Sequence, residues 1–310
     1  MDNYKWDINE LKQKLNKLKQ GQDSIYELDI ITLNEMLGSH LNQSNLKLSS
    51  FQYKEVNKYR DFFIKVATEF YENNIFKRVE VPSVGFINLN IEQGLSIVHE
   101  FYKTFNLNFY SHFLNVFNKK NTNLQLTNDI YQISGIAYHL LSQKESYINV
   151  NITNTIHDLK ILAHEYAHAI TFSMCPNFIT NTNFTLIREI DGLFFQTKFL
   201  DFLIENNILK QEAILAKFDF HAQMVRKASS IQMSEFNLLN TVYLFSYLAS
   251  IELYMIDNKN SEDILEKIIN ENPKSLSETM EILTSYITFN TNVESFQKKL
   301  KLQLDRNFIC

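Results

Sequence analysis

His164-Glu165-Tyr166-Ala167-His168 sets two imidazoles four residues apart with a carboxylate beside the first. On a helix, positions i and i+4 share a face about one turn apart, so the two histidines can supply two nitrogen ligands to one tetrahedral zinc ion. Glu165 is displaced around the helix by one residue. That places it too far round to be a third ligand, but within reach of a water at the open metal position, where a general base is needed. The pattern arises by accident in on the order of one sequence in a hundred. Its plain alternative is a pair of satisfied helix histidines.

A catalytic zinc needs a third protein ligand. The metzincin continuation His-x-x-Gly-x-x-His is absent, because the chain runs on as Ala169-Ile170-Thr171-Phe172-Ser173-Met174. A glutamate on the next helix is the other solution. Leu186-Ile187-Arg188-Glu189-Ile190-Asp191-Gly192 offers Glu189 on an apolar stripe, where an unpaired carboxylate would be strongly disfavoured and a metal would satisfy it. Arg188 or a solvated rim could satisfy it instead. Asp191 is the runner-up ligand. It projects about 200° away from Glu189 at 3.6 residues per turn, which predicts that its loss would leave metal affinity nearly unchanged.

The elements that must position these groups are mostly helices. Six glycines and three prolines in 310 residues leave few breakers, and the class expected is mainly α. Trp6, Ile8, Leu11, Leu15 and Leu18 recur at helical spacing, as do Val56, Tyr59, Phe63, Val66 and Phe70 within Phe51 to Tyr71. The stretch between is ambiguous. Val81-Pro82-Ser83 is the best internal boundary, dividing an N-terminal helical segment, 1–80, from a catalytic domain, 81–310. Ile91 to Tyr102 and Leu107 to Asn118 read as further helices. Ser134-Gly135-Ile136-Ala137-Tyr138 and Tyr147 to Ile152 are the only convincing strands. Thr155, with Asp158 three residues on, caps a helix that can carry the histidines to about Met174. From Leu186 the pattern is helical, with turns near Asn206-Asn207, Ser229-Ser230, Asp257-Asn258 and Asn272-Pro273.

A hydrophobic content of 45% and a charged content of 21% are those of a folded chain. The net charge of -5 offers no basic stripe for phosphates, so nucleic acid is a poor partner. No stretch reaches the length of a membrane span and the first residues lack a secretory apolar run, so a cytoplasmic protein without a membrane partner is expected. With only Cys175 and Cys310, thiolate zinc sites are excluded.

These motifs together resemble the oligoendopeptidase F and thimet-oligopeptidase family of zinc metallopeptidases, of gluzincin type. The run from Tyr147 through Asn151, Thr153, Thr155 and Asp158 to Ala163 is similar to the strand, turn and helix that lead into that family's zinc motif. Ser134-Gly135-Ile136-Ala137-Tyr138 resembles its substrate-pairing strand, and Glu189-Ile190-Asp191-Gly192-Leu193-Phe194 its third-ligand helix. Lys217-Phe218-Asp219-Phe220 and Tyr243 to Tyr247 resemble later landmarks. The likeness spans about Glu80 to Lys301.

The resemblance implies a helical catalytic domain with a small sheet beside the zinc-motif helix. It implies one zinc ion per chain on His164, His168 and Glu189, and hydrolysis of short unfolded peptides. Peptide would lie on the strand at Gly135, Ala137 and Tyr138, with Tyr243 and Tyr247 at the oxyanion. Three departures stand out. Family members are commonly about twice as long, so the cleft here is expected to be more open. Gly192 stands where the family has Ser, and Gln196 where it has an acid. Asn237 takes the place of an oxyanion-binding His, and Phe245 that of one Tyr, so a metal-containing peptide-binding module with little or no activity is the alternative. His157, His139 and His221 read as non-ligands, and His139 as a surface imidazole.

Overall fold

The structure, a computed structural model, describes residues 5–20, 24–38, 58–77, 85–126, 135–175, 185–233, 238–256, 258–271 and 275–308. Low glycine and proline content is realised as twelve helices and three short strands among these residues. Helix α1 (Ile8–Leu18) starts at Asp7, whose Oδ1 accepts from the backbone of Asn9 and Glu10. Helices α2 (Ser24–Leu37), α3 (Arg60–Glu72), α4 (Ile91–Tyr102) and α5 (Leu107–Phe117) follow. Then come strands β1 (Thr122–Leu126), β2 (Gly135–Leu140) and β3 (Glu145–Ile152). Helices α6 (Ile156–Met174), α7 (Thr185–Glu205), α8 (Lys210–Met233) and α9 (Leu238–Met255) form the centre, and α10 (Asn258–Glu271), α11 (Leu276–Tyr286) and α12 (Val293–Asn307) complete the chain.

The sheet order is β1-β3-β2, with β1 parallel and β2 antiparallel to β3. Strand β1 was not foreseen. Its Thr-Asn-Leu-Gln-Leu is too short and polar to show a period, and the central strand β3 supplies the order that the sequence lacks. The turn expected at Ser229-Ser230 is absent as well: α8 continues through it, and Ser230 Oγ donates to the Lys227 carbonyl inside the helix.

Helix α6 is layered between the sheet, through β2 and β3, and helix α7. The main core is unusually aromatic. Tyr102 stacks on Phe113 with centroids 4.6 Å apart, and Phe101, Phe105, Phe195 and Phe199 close around them. Each such buried ring contributes roughly 1.5–3 kcal/mol by leaving water. Tyr102 Oη also donates to the carbonyl of Ala163, and Tyr166 Oη meets Thr122 Oγ1, so α6 is fixed in rotation at the turn that carries His164.

Part of 1–80 packs directly on this layer. Phe63, Val66, Ala67 and Phe70 of α3 belong to the main core. Trp6, Leu11, Leu15 and Leu18 of α1, with Leu33 and Met36 of α2, form a second core against Tyr138, Leu140 and Tyr147 on the sheet. Asp29 of α2 accepts from the backbone of Leu141 and Ser142, capping the β2-β3 turn. The boundary expected at Val81-Pro82-Ser83 lies outside the described residues. Among the described residues no helix is long and apolar enough to cross a membrane.

Candidate metal centre

The turn before α6 sets its register. Asp158 is buried, and its carboxylate accepts from the backbone of Thr153 and Thr155 and from Thr153 Oγ1, tying the end of β3 to the first turn of the helix. Two turns further on, His164 and His168 leave the helix on one face. Their Nε2 atoms are 3.0 Å apart. Glu189, on the neighbouring helix α7, brings Oε2 to 3.4 Å from His164 Nε2 and 4.0 Å from His168 Nε2. Donor atoms of a tetrahedral zinc lie about 3.3 Å from one another when each is about 2.0 Å from the ion, so this triad needs only tenths of an ångström of adjustment.

The second nitrogen of His168 is 3.1 Å from Asp191 Oδ1. A carboxylate there accepts a hydrogen bond from Nδ1–H, which leaves Nε2 as the atom turned to His164. Two imidazole nitrogens facing each other at 3.0 Å need a proton or a cation between them, and two such nitrogens with a carboxylate oxygen are a donor set that fits a zinc ion. Burial lowers the His168 pKa, but the charge and hydrogen bond of Asp191, then Glu189 and Glu165, outweigh it and raise it to about 9.

Asp191 thus does not turn away from the site, as its place on the helix led us to expect: its carboxylate meets His168. What the angle omits is that α6 covers that side of α7 too, so a side chain 200° from Glu189 meets His168 further along. Asp191 also accepts from Thr171 Oγ1 at 2.5 Å and from the Gly192 backbone at 2.7 Å, which holds the carboxylate rigid. His164 Nδ1 is buried with no hydrogen-bond partner among the described residues. His164 is held by contact instead. A Cβ on Gly192 would come within 2.4 to 2.7 Å of its ring, so only glycine lets α7 approach this closely.

Glu165 faces the sheet. A Cβ on Gly135 would fall 2.8 Å from Glu165 Cγ and 2.9 Å from its Oε1, which sets the start of β2 against this carboxylate. Side chains alternate along β2. Gly135 and His139 turn toward α6, where His139 stacks on Phe172 at 4.5 Å, while Tyr138 and Leu140 turn toward α1 and α2. His139 is therefore buried and not a surface imidazole. Tyr138 packs edge-on to Trp6, and burial, then Glu35 and Glu165, raise its pKa to about 12. Among the described residues β2 is an edge strand.

Tyr243 and Tyr247 lie one turn apart on α9 in different surroundings. Tyr243 is half-buried under the Lys227 ammonium, 5.4 Å from its ring centroid. Tyr247 is fully buried, with its Oη 2.7 Å from His221 Nδ1. Asn74 fixes the roles in that chain: its Oδ1 accepts from the Phe76 backbone, so its Nδ2 donates to His221 Nε2 and leaves Nδ1–H to donate to Tyr247. Neither His221 nor His157, 4.0 Å from Asp219, is among the triad's donors. Asn237 and the side chain of Arg188 lie outside the described residues.

No family model and no curated protein matches the chain. Solved structures do. A protein of Bacillus anthracis str. Ames assigned as an oligoendopeptidase F superposes with a TM-score of 0.52 at 14% identity, covering 92% of this chain and 63% of that one. PZ peptidase A, solved with an inhibitor, superposes with a TM-score of 0.51 at 11% identity over 97% of this chain and 67% of its own. At such identities the likeness is one of fold: mainly helical with a small sheet, over a chain spanning less than two thirds of the first structure's length.

Proposed function

We propose that this chain is a zinc-dependent peptidase acting on short unfolded peptides, with His164, His168 and Glu189 holding one zinc ion. The observation that carries the proposal is the convergence of those three donors, the only such group among the described residues, beside an acid on the same helix. When bound, zinc supplies Lewis acidity that polarises a carbonyl and lowers the pKa of a water toward about 7.

The chain's own residues supply the rest. Asp191 keeps His168 in the tautomer that presents Nε2. Glu165, pressed against the start of β2, takes the proton of the attacking water and passes it to the leaving amine. The outer edge of β2 at Gly135 and Ala137 offers main-chain groups to an extended peptide, and the adjoining Tyr138 contributes through its backbone, its ring being committed to Trp6. Tyr243 is the candidate donor to the developing oxyanion.

Elemental analysis joined to turnover of a quenched peptide library tests this. Zinc at one per chain with peptide cleavage is expected, His164→Ala losing both and Glu165→Gln losing cleavage alone. Absence of metal uptake would refute the centre. A metal-loaded protein that cleaves nothing would leave the binding-module reading.

A further inference from the structure

Lys160 lies on the stripe of α6 that carries His164, one turn nearer the helix start, and it is 93% buried by its 7% relative exposure. A lysine so placed normally meets an oxygen. Among the described residues none accepts from it: its recorded contact is the Phe220 ring, 5.1 Å from Nζ. Asp219 is near enough to act on its charge but not within ion-pair distance, and that carboxylate is taken by Gln223 at 2.8 Å and Arg226 at 3.8 Å, with the His157 ring 4.0 Å away. Burial pulls the Lys160 pKa down to about 8, with Asp219 opposing, so at neutral pH the group is still mostly charged. His157 beside it is neutral, its pKa pulled to about 3 by burial and by Lys160.

We propose, resting on the peptidase reading, that Lys160 is the substrate's carboxylate receptor, one helical turn from the metal centre. The four residues from Lys160 to His164 are about 6 Å of axial rise, and an extended peptide advances about 3.3 Å per residue. The carboxylate it takes therefore belongs about two residues from the scissile bond. That carboxylate is either the free C-terminus of the peptide or an Asp or Glu side chain at the same distance. The Phe220 ring covers one side of the ammonium, and an apolar neighbour strengthens a charge-assisted bond to an incoming carboxylate. The chemistry would bias cleavage toward removal of short C-terminal fragments or toward acidic sites.

The test uses the full-length, zinc-loaded Glu165→Gln protein, so that peptides bind without turning over. Calorimetric titration compares Ala-Phe-Ala with a free C-terminus, its C-terminal amide, and the amidated Ala-Phe-Glu. At least one carboxylate-bearing peptide should bind about tenfold or more tightly than the neutral amide, and which one identifies the source. Adding Lys160→Met should bring the three within a factor of two, and Lys160→Arg should restore the preference. A preference that survives Lys160→Met, or equal binding of all three with Lys160 present, overturns the proposal. Thermal unfolding supplies a second readout. Lys160→Met should unfold at the same or a higher temperature, whereas a lysine kept for the fold would lower it and overturn the assignment. The peptidase reading fails separately, by absence of cleavage in the zinc-loaded wild-type protein.

Discussion

A Cβ built on Gly192 would stand 2.4 Å from Cε1 of His164. The imidazole thus rests on the bare backbone of α7. Adding a methyl or hydroxymethyl group there displaces the ring, which is a side chain and can move without unfolding the helix. Gly192→Ala is expected to weaken zinc binding at least tenfold, a loss similar to that of a group supporting a ligand. Metal-free stability should stay level or rise by up to about 1 kcal/mol, because alanine is the better helix former. Zinc titration against a competing chelator, with thermal unfolding of the metal-free protein, checks both signs.

The two carboxylates of α7 should separate by degree. Glu189→Ala removes a direct bond to the metal, while Asp191→Asn removes the charge that fixes the His168 tautomer and leaves the shape intact. Asp191→Asn should cost about 10 to 100-fold in zinc affinity, and Glu189→Ala clearly more. Equal affinity of wild type and Asp191→Asn would show that Thr171 and the backbone, not the charge, orient His168.

How far the sequence disclosed this arrangement depended on whether the signal was local. The i,i+4 histidines, the Thr155 to Asp158 turn and the end of α6 at Met174 are encoded within one stretch, and they stand where spacing put them. The alternation of β3 was equally legible. Asp191 and Lys160 were not, because their roles depend on which helix covers which face, and an angle about one axis does not contain that. Lys160 did leave a trace: a lysine on the stripe of the two histidines, among Leu159, Ile161 and Leu162. Likewise Gly135 and Gly192 looked like small residues of a motif until the distances to Glu165 and His164 gave each a reason.

His221 makes the fold acid-sensitive. Burial and then the Lys217 charge pull its pKa from 6.5 to about 3, and Asn74 and Tyr247 hold the neutral ring. The folded pKa is the depressed one. Its contribution is therefore intact above pH 6.5 and is lost as pH falls toward 3, since the unfolded chain takes a proton that the folded one refuses. Between pH 7 and pH 5 this single group should remove about 2 kcal/mol of stability. Urea unfolding of wild type and His221→Gln at both pH values should show a smaller pH difference in the variant. His157, depressed in the same way, should supply a residual slope.

Tyr243 and Tyr247 share a face of α9, and the likeness to oxyanion-binding tyrosines does not tell them apart; their neighbours do. Tyr247 accepts from His221 Nδ1 in a site closed to solvent, and burial raises its pKa well above the ordinary value. Removing its hydroxyl would strand a buried N–H, at a cost of about 1–3 kcal/mol. Tyr247→Phe should therefore lower stability and leave kcat within a fewfold of wild type where the protein is folded. Tyr243 is half-buried, so a change there does not dismantle a core. Tyr243→Phe should lower kcat on the order of a hundredfold, the loss expected of one oxyanion donor, with little change in KM or in unfolding temperature. If instead Tyr247→Phe carries the kcat loss at full stability, the His221 bond must open during turnover, and the oxyanion donor belongs one turn further along α9.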